Sequence, residues 1–207
     1  MCVAAERGHL DMVEWLIAAG ADVNFVSPID GSTRTALYIA AQHGHRDVVV
    51  RLIATPGLNV NLVGNSGATP LYITAQYGRP DVVALLLAAP GVDANTALTA
   101  EGNTPLITAA CNGHPDVVDR LLAAPGVGVN VSSNIGATAL YVAAQSGHTD
   151  VEERLLSAPG VDVNLGRSFG ATPSYAAAFE GHLDVVERLI AAPMWTSTRP
   201  ALAAARR

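Results

Sequence analysis

Apolar and polar positions alternate along this chain with the period of a helix. In the segment RPDVVALLLAAPG, Val82, Val83, Leu86 and Leu87 fall at i, i+1, i+4 and i+5, one buried stripe of a 3.6-residue turn. Asp81 lies in the first turn, where a carboxylate favours the helix dipole. A shorter stretch, TPLYITAQYG, precedes it, with Thr69 placed as N-cap, Pro70 at the first helical position and Gly78 as C-cap. Two short helices joined by a tight turn are therefore predicted.

The same block recurs about every 34 residues. A Gly followed by His or Arg stands at Gly8-His9, Gly44-His45, Gly78-Arg79, Gly113-His114, Gly147-His148 and Gly181-His182. Thr35, Thr69, Thr104, Thr138 and Thr172 each lie nine residues before such a Gly, and Asn24, Asn61, Asn95, Asn130 and Asn164 close the first five units. An Asp opens every second helix, at Asp11, Asp47, Asp81, Asp116, Asp150 and Asp184. From Gly to Asn the spacing is 17, or 16 in the first unit, whereas from Asn to the next Thr it varies between 8 and 11. Constant spacing predicts ordered structure; variable spacing predicts an exposed loop.

T-P-L-Y-x-x-A-x-x-G-[HR], followed by V-V-x-x-L-L and D-V-N, resembles the ankyrin repeat. The resemblance implies an all-α fold, an ankyrin-repeat solenoid of stacked helix-turn-helix units joined by hairpin-like loops, in which no unit buries its stripe alone. The expected repeats span about 1–31, 32–66, 67–101, 102–135, 136–169 and 170–193, the first truncated because Met1 falls inside its first helix. Residues 194–207 are expected to form a C-terminal tail or cap, with Met194 and Trp195 over the last layer and ALAAARR as a short helix.

Several positions depart from the family pattern. Tyr38, Tyr72, Tyr141 and Tyr175, with Ile107, replace the family's His, and this column is expected to pack in the stack with a polar tip kept for a hydrogen bond. The hairpin Asp survives as Asp30, while Gly64, Thr99, Ser133 and Arg167 take its place later, which puts the usual tip hydrogen bonds in doubt. Glu152 replaces the second Val of the apolar stripe, so it must be solvated, paired, or the mark of a weak layer. Ser174 replaces a core Leu, and the fifth and sixth layers are expected to be the loosest.

Composition narrows the function. Half the residues are apolar and 14% are charged, so a folded chain is expected. A net charge of -6 with no Lys leaves no basic field for nucleic acid. No apolar run is long enough to span a membrane and no basic, apolar leader opens the chain. Cys2 and Cys111 belong to no C-x-x-C pair and read as reduced thiols, so a cytoplasmic location is expected.

Candidate chemistry is sparse. Gly166-Arg167-Ser168-Phe169-Gly170 matches G-x-S-x-G, and the β-branched run VDVNL before it suits the strand-turn-helix context of a hydrolase elbow. In repeat register, however, Gly170 is the hairpin glycine equivalent to Gly67 and Gly136, and Ser168 is a tip residue with no base and acid to serve it. Five of the six His follow the repeat Gly, one per layer, and layers about 8 to 10 Å apart do not let two imidazoles share a zinc. Helix-start packing or hydrogen bonding is expected of them instead. No enzyme, metal or cofactor is therefore expected. The closing Asn is read as bonding the neighbouring backbone; the resemblance also implies that in animal proteins it is open to hydroxylation, with Asn24 and Asn164 the nearer matches.

The resemblance places binding on the concave face of the first helices and on the hairpin tips. The residues there are Gln42, His43, Gln76, Tyr77, Cys111, Asn112, Gln145, Ser146 and Phe179 on the helices, and Phe25, Ile29 and Phe169 at the tips. Aromatics among amides suit a protein or peptide partner rather than nucleic acid, a membrane or a small-molecule substrate. The expected function is a non-catalytic protein-interaction module. The alternative is a structural spacer within a longer ankyrin array.

Overall fold

The computed structural model describes residues 1–29, 32–64, 67–98, 100–167 and 170–192, with Ile29 and Ser32 described by their backbone alone. Asp30, Thr99, Ser168, Phe169 and the segment 193–207 expected to form a tail or cap lie outside the described residues. Among the described residues twelve helices form six pairs: α1 (Cys2–Arg7) with α2 (Leu10–Ala18), α3 (Ala36–His43) with α4 (Arg46–Ile53), α5 (Pro70–Gln76) with α6 (Pro80–Leu87), α7 (Pro105–Cys111) with α8 (Pro115–Leu122), α9 (Ala139–Ser146) with α10 (Thr149–Leu156), and α11 (Pro173–Glu180) with α12 (Leu183–Ala191).

Local chemistry sets these limits. The hydroxyls of Thr35, Thr69, Thr104, Thr138 and Thr172 accept from the backbone N–H three residues on, at Tyr38, Tyr72, Ile107, Tyr141 and Tyr175. The first helix of each pair ends at a glycine of positive φ, such as Gly44 at 77° or Gly147 at 70°, where other residues are strained. The second helices begin without a side-chain cap, and the Asp in the first turn complements the dipole instead.

The pairs stack in chain order. Helices α1, α3, α5, α7, α9 and α11 form one row and α2, α4, α6, α8, α10 and α12 a second, with a main apolar core running from Cys2 to Ala192 and a smaller cluster of Ala137, Tyr141 and Ala176 beside it. Short helices of this kind are stable because the stripe of each is buried by its neighbours, not through propensity.

Among the described residues, one loop adds strand to the helical plan. The longest spacing, between Asn24 and Thr35, holds the hairpin β1 (Ser27–Ile29) and β2 (Ser32–Arg34), paired antiparallel with Pro28 opposite Thr33. The next tip leans onto it: a side chain at Gly64 would run into the Thr33 carbonyl, so this glycine, found where the family has Asp, permits the approach. Ser133 keeps a tip hydrogen bond by accepting from the Ala137 N–H at 3.2 Å. The run VDVNL is not a strand; residues 161–165 form turn and loop, which removes the strand from the supposed elbow.

Two expectations need correction. Tyr38, Tyr72 and Tyr141 are buried in the stack, and burial lifts the Tyr72 phenol above its ordinary value, but Tyr175 is exposed because no described layer follows it. The looseness expected of the last two layers is confined to one row. Helices α10 and α12 pack least closely of the adjacent second helices, whereas α9 and α11 meet the most closely of the first helices, where Tyr141 and Ala176 share one apolar cluster. Arg167 also caps this region, its guanidinium 5.7 Å from the Tyr141 ring centroid.

Glu152 resolves in an unexpected way. It is fully buried in the row of second helices, and neither carboxylate oxygen has a hydrogen-bond partner among the described residues. Burial pushes its carboxyl up to about 7, outweighing the nearby Arg188 guanidinium; Glu153 adds to the rise.

Candidate functional site

The last turns of the first-helix row bring the expected contact residues together. Gln42, Gln76, Cys111, Gln145 and Phe179 occupy one column along α3, α5, α7, α9 and α11, two residues before each repeat glycine. His43, Tyr77, Asn112 and Ser146 form the adjoining column. Because these helices stack directly, both columns belong to one continuous surface.

The backbone beneath that surface is bound to the following layer. The Nε2 of His45 lies 2.9 Å from the Glu6 carbonyl, His114 3.1 Å from that of Gln76, His148 3.1 Å from that of Cys111, and His182 3.2 Å from that of Gln145. A carbonyl only accepts, so each Nε2–H donates and fixes the tautomer. Each ring also covers the preceding repeat glycine, where an added Cβ at Gly8, Gly78, Gly113 or Gly147 would stand 2.7 to 2.8 Å from it. Where Arg79 replaces His, its stem covers Gly44 in the same way. The histidines are thus layer joints, as the helix-start reading required.

The closing asparagines make a second ladder. Asn24, Asn61, Asn95 and Asn130 donate through Nδ2 to the carbonyls of Gly57, Gly91, Gly126 and Gly160, at 2.6 to 2.8 Å. Their Oδ1 atoms accept from the N–H of Asn59, Asp93, Gly128 and Asp162. Each amide therefore bridges to the next unit with both ends. Asn95→Ala is expected to cost about 1 to 2 kcal/mol in urea unfolding, the worth of one exposed and one partly buried bond, and to loosen the Gly126 turn. A cost under about 0.3 kcal/mol would show that water replaces the bridge.

Against this framework the contact residues stand apart. Phe25, Tyr77 and Phe179 are exposed, and Phe179 stacks on Tyr175 with centroids 6.3 Å apart. His43 is exposed and stacks on His45 at 5.9 Å. Gln76, Cys111, Asn112 and Ser146 are exposed, while Gln42 and Gln145 are half-buried. Asn112 turns its amide back to the Thr108 carbonyl at 2.8 Å, and the Gln42 Oε1 is buried without a partner among the described residues. The backbone of Ile29 lies in β1, and Phe169 falls outside the described residues.

A family model for ankyrin repeats matches the chain in three copies, over residues 1–97, 90–167 and 127–197. The chain belongs to the ankyrin repeat family. Ankyrin repeats are in general protein–protein interaction modules and are typically non-catalytic. No helix among the described residues is long and apolar enough to cross a membrane. No group of three or more His, Cys, Asp or Glu among them is placed to hold a metal ion.

Neither the glycine–histidine joint nor the approach at Gly64 was readable in detail from the ankyrin pattern alone. The signal for the first is present, since His follows the repeat Gly in five of six units; the spacing hides that the ring binds the unit before its own. A cleft of about 400 Å³ opens on the opposite row, lined by Glu153, Leu156, Ser157, Arg188, Ala191 and Ala192. It borders the last described residue and lies away from the surface above.

Proposed function

We propose that this ankyrin domain is a non-catalytic binding module that grips a protein or peptide through its concave first-helix face and hairpin tips. One observation supports this reading: the recurring Thr, Gly, His and Asn are engaged in caps and layer joints, whereas Gln76, Tyr77, Cys111, Asn112 and Phe179, which differ between units in the last turns of the first helices, face solvent. Tyr77 and Phe179 supply rigid aromatic area at low entropic cost, and the amides of Gln76 and Gln145 between them supply adaptable hydrogen bonds. A segment lying across α5 to α11 would meet one such group per layer.

The test immobilises the whole chain and compares what it retains from lysate of its source with what is retained by a variant carrying Tyr77→Ala, Asn112→Ala and Phe179→Asp. A partner kept by the parent and lost by the variant, at least tenfold weaker in a binding titration, supports the assignment. All three positions are exposed, so the variant is expected to melt as the parent does. Equal retention by both chains refutes this face, and retention of nothing favours the structural spacer.

A further inference from the structure

The joint between the fifth and sixth units is built unevenly. On the first-helix side α9 and α11 meet the most closely of their row, and Tyr141 and Ala176 share an apolar cluster there. His182 ties the turn between α11 and α12 to the Gln145 carbonyl at 3.2 Å. On the second-helix side α10 and α12 pack least closely, and the contacts of Arg188 across it are long and exposed, 3.7 Å to Glu153 and 3.4 Å to the Thr149 carbonyl. The preceding joint holds the same column at 2.8 Å, Arg154 on Asp119. One side is therefore a pivot and the other a seam.

Glu152 lies at that seam. It takes the column of Val49, Val83 and Val118, is fully buried, and has no hydrogen-bond partner on either carboxylate oxygen among the described residues. A neutral carboxyl tolerates such burial far better than a carboxylate, whose lost hydration is replaced here by neither a hydrogen bond nor a paired cation. The helices packed on α10 are α8, α9 and α12. Arg188 of α12 favours the charge and Glu153 of α10 opposes it. Helix α9 brings no charged side chain, only the phenol of Tyr141. Asp116, Asp119 and Arg120 of α8, Asp150 of α10, and Asp184 and Glu187 of α12 are exposed, and Arg154 is held by Asp119. The rings of His148 and His182, at the starts of α10 and α12, are bound to the Cys111 and Gln145 carbonyls.

We propose that Glu152 is a proton-controlled latch on this seam: when its carboxyl ionises, α12 swings off α10 while α11 stays packed on α9, and water reaches the carboxylate. This opening solvates the charge at the loss of only the loosest contacts in the second-helix row, whereas parting the whole layer would also break the close α9–α11 joint. The direction of control follows from linkage. Burial lifts the carboxyl from 4.5 to about 7, so the closed seam holds its proton and is most stable below pH 4.5; that preference falls as the pH rises and is lost above about pH 7. With the carboxyl back at its ordinary value once the seam is open, the opening constant is about 200-fold larger at pH 8 than at pH 4.

Native-state hydrogen exchange of the full 207-residue chain, corrected for the intrinsic pH dependence of amide exchange, tests the latch. Helix α12 is nine residues long and depends on burial to stay helical, so its release registers in its own amides. Its opening constant is expected to rise about 200-fold from pH 4 to pH 8. At pH 8 it is expected to exceed those of α4, α6, α8 and α11 at least tenfold and to depend less on urea, because less surface is uncovered. Glu152→Val and Glu152→Gln both remove the titrating group, and in both the exchange of α12 is expected to vary less than about threefold over the same range. The Gln variant keeps a polar group in place, so a flat profile there assigns the effect to the proton. Equal opening constants with one shared urea dependence mean that the layer or the whole domain opens at once, and overturn the proposal. So does a rise that persists in either variant, or protection of α12 that does not change with pH in the parent.

Discussion

Replacing Glu152 with Val raises the stability of the domain by about 3 kcal/mol at pH 8. The carboxyl is fully buried with both oxygens unbonded, and its pKa rises from 4.5 to about 7; a tenfold change in proton affinity corresponds to about 1.4 kcal/mol between the two protonation states. The sign follows from linkage. The folded state holds the Glu152 proton more tightly than the unfolded chain does, so stability is greatest below pH 4.5, falls as the pH rises, and has lost this contribution fully above about pH 7. Two charged groups act on it: Arg188 on α12 lowers the pKa without matching the desolvation, and Glu153 on α10 raises it.

Arg188 is held elsewhere, 3.7 Å from Glu153 and donating to the Thr149 carbonyl at 3.4 Å, so it does not close on Glu152. The check is urea unfolding of parent and Glu152→Val from pH 4 to pH 8. The difference between them should grow by about 3 kcal/mol across that range, whereas a constant difference would mean that Glu152 is not the titrating group. Glu152→Gln should also flatten the profile but gain less, because an unbonded amide stays buried.

Gly147→Ala is expected to destabilise the domain by about 3 kcal/mol, and Gly181→Ala by only about 1 to 2 kcal/mol. Both residues end a first helix at positive φ, 70° and 83°, so both substitutions carry the left-handed backbone cost. Only at Gly147 does the new methyl also meet the next layer, 2.7 Å from the His182 ring. The ring must swing away, and its bond to the Gln145 carbonyl, worth about 1 kcal/mol, is lost.

The background His182→Ala separates the two contributions. Without the ring, Gly147→Ala should cost no more than Gly181→Ala, a coupling of about 1 kcal/mol or more in the double-mutant cycle. Equal costs for the two glycines in the parent chain would place the whole effect in the backbone and remove the histidine from the joint.

The caps and helices were legible because they rest on contacts three or four residues apart. Thr69, Pro70 and Gly78 announce a helix whose ends lie in the same short stretch, and the structure places α5 between them. The exposure of Tyr77, Asn112 and Phe179 is legible too, since the resemblance to ankyrin arrays assigns these register positions to the open face of the first helices. The exposure of Tyr175 is not legible there: its column is buried only where another layer follows, which no feature of its own repeat records. Glu152 stands out of pattern in the sequence, but its burial without a partner depends on where Arg188 of the next unit turns.

The sequence by itself therefore determined the repeating unit, its two helices, their caps, and which face of each is apolar, because a fixed period writes the same local physics again in each unit. Only the tertiary structure decided what each unit does for its neighbour. The His45 ring on the Glu6 carbonyl, the Asn24 amide on the Gly57 carbonyl and the Gly64 approach to Thr33 join residues about one repeat apart. Such contacts form only when one layer closes on the next, so they depend on the stacking distance and angle, quantities that exist between units and are written in none of them.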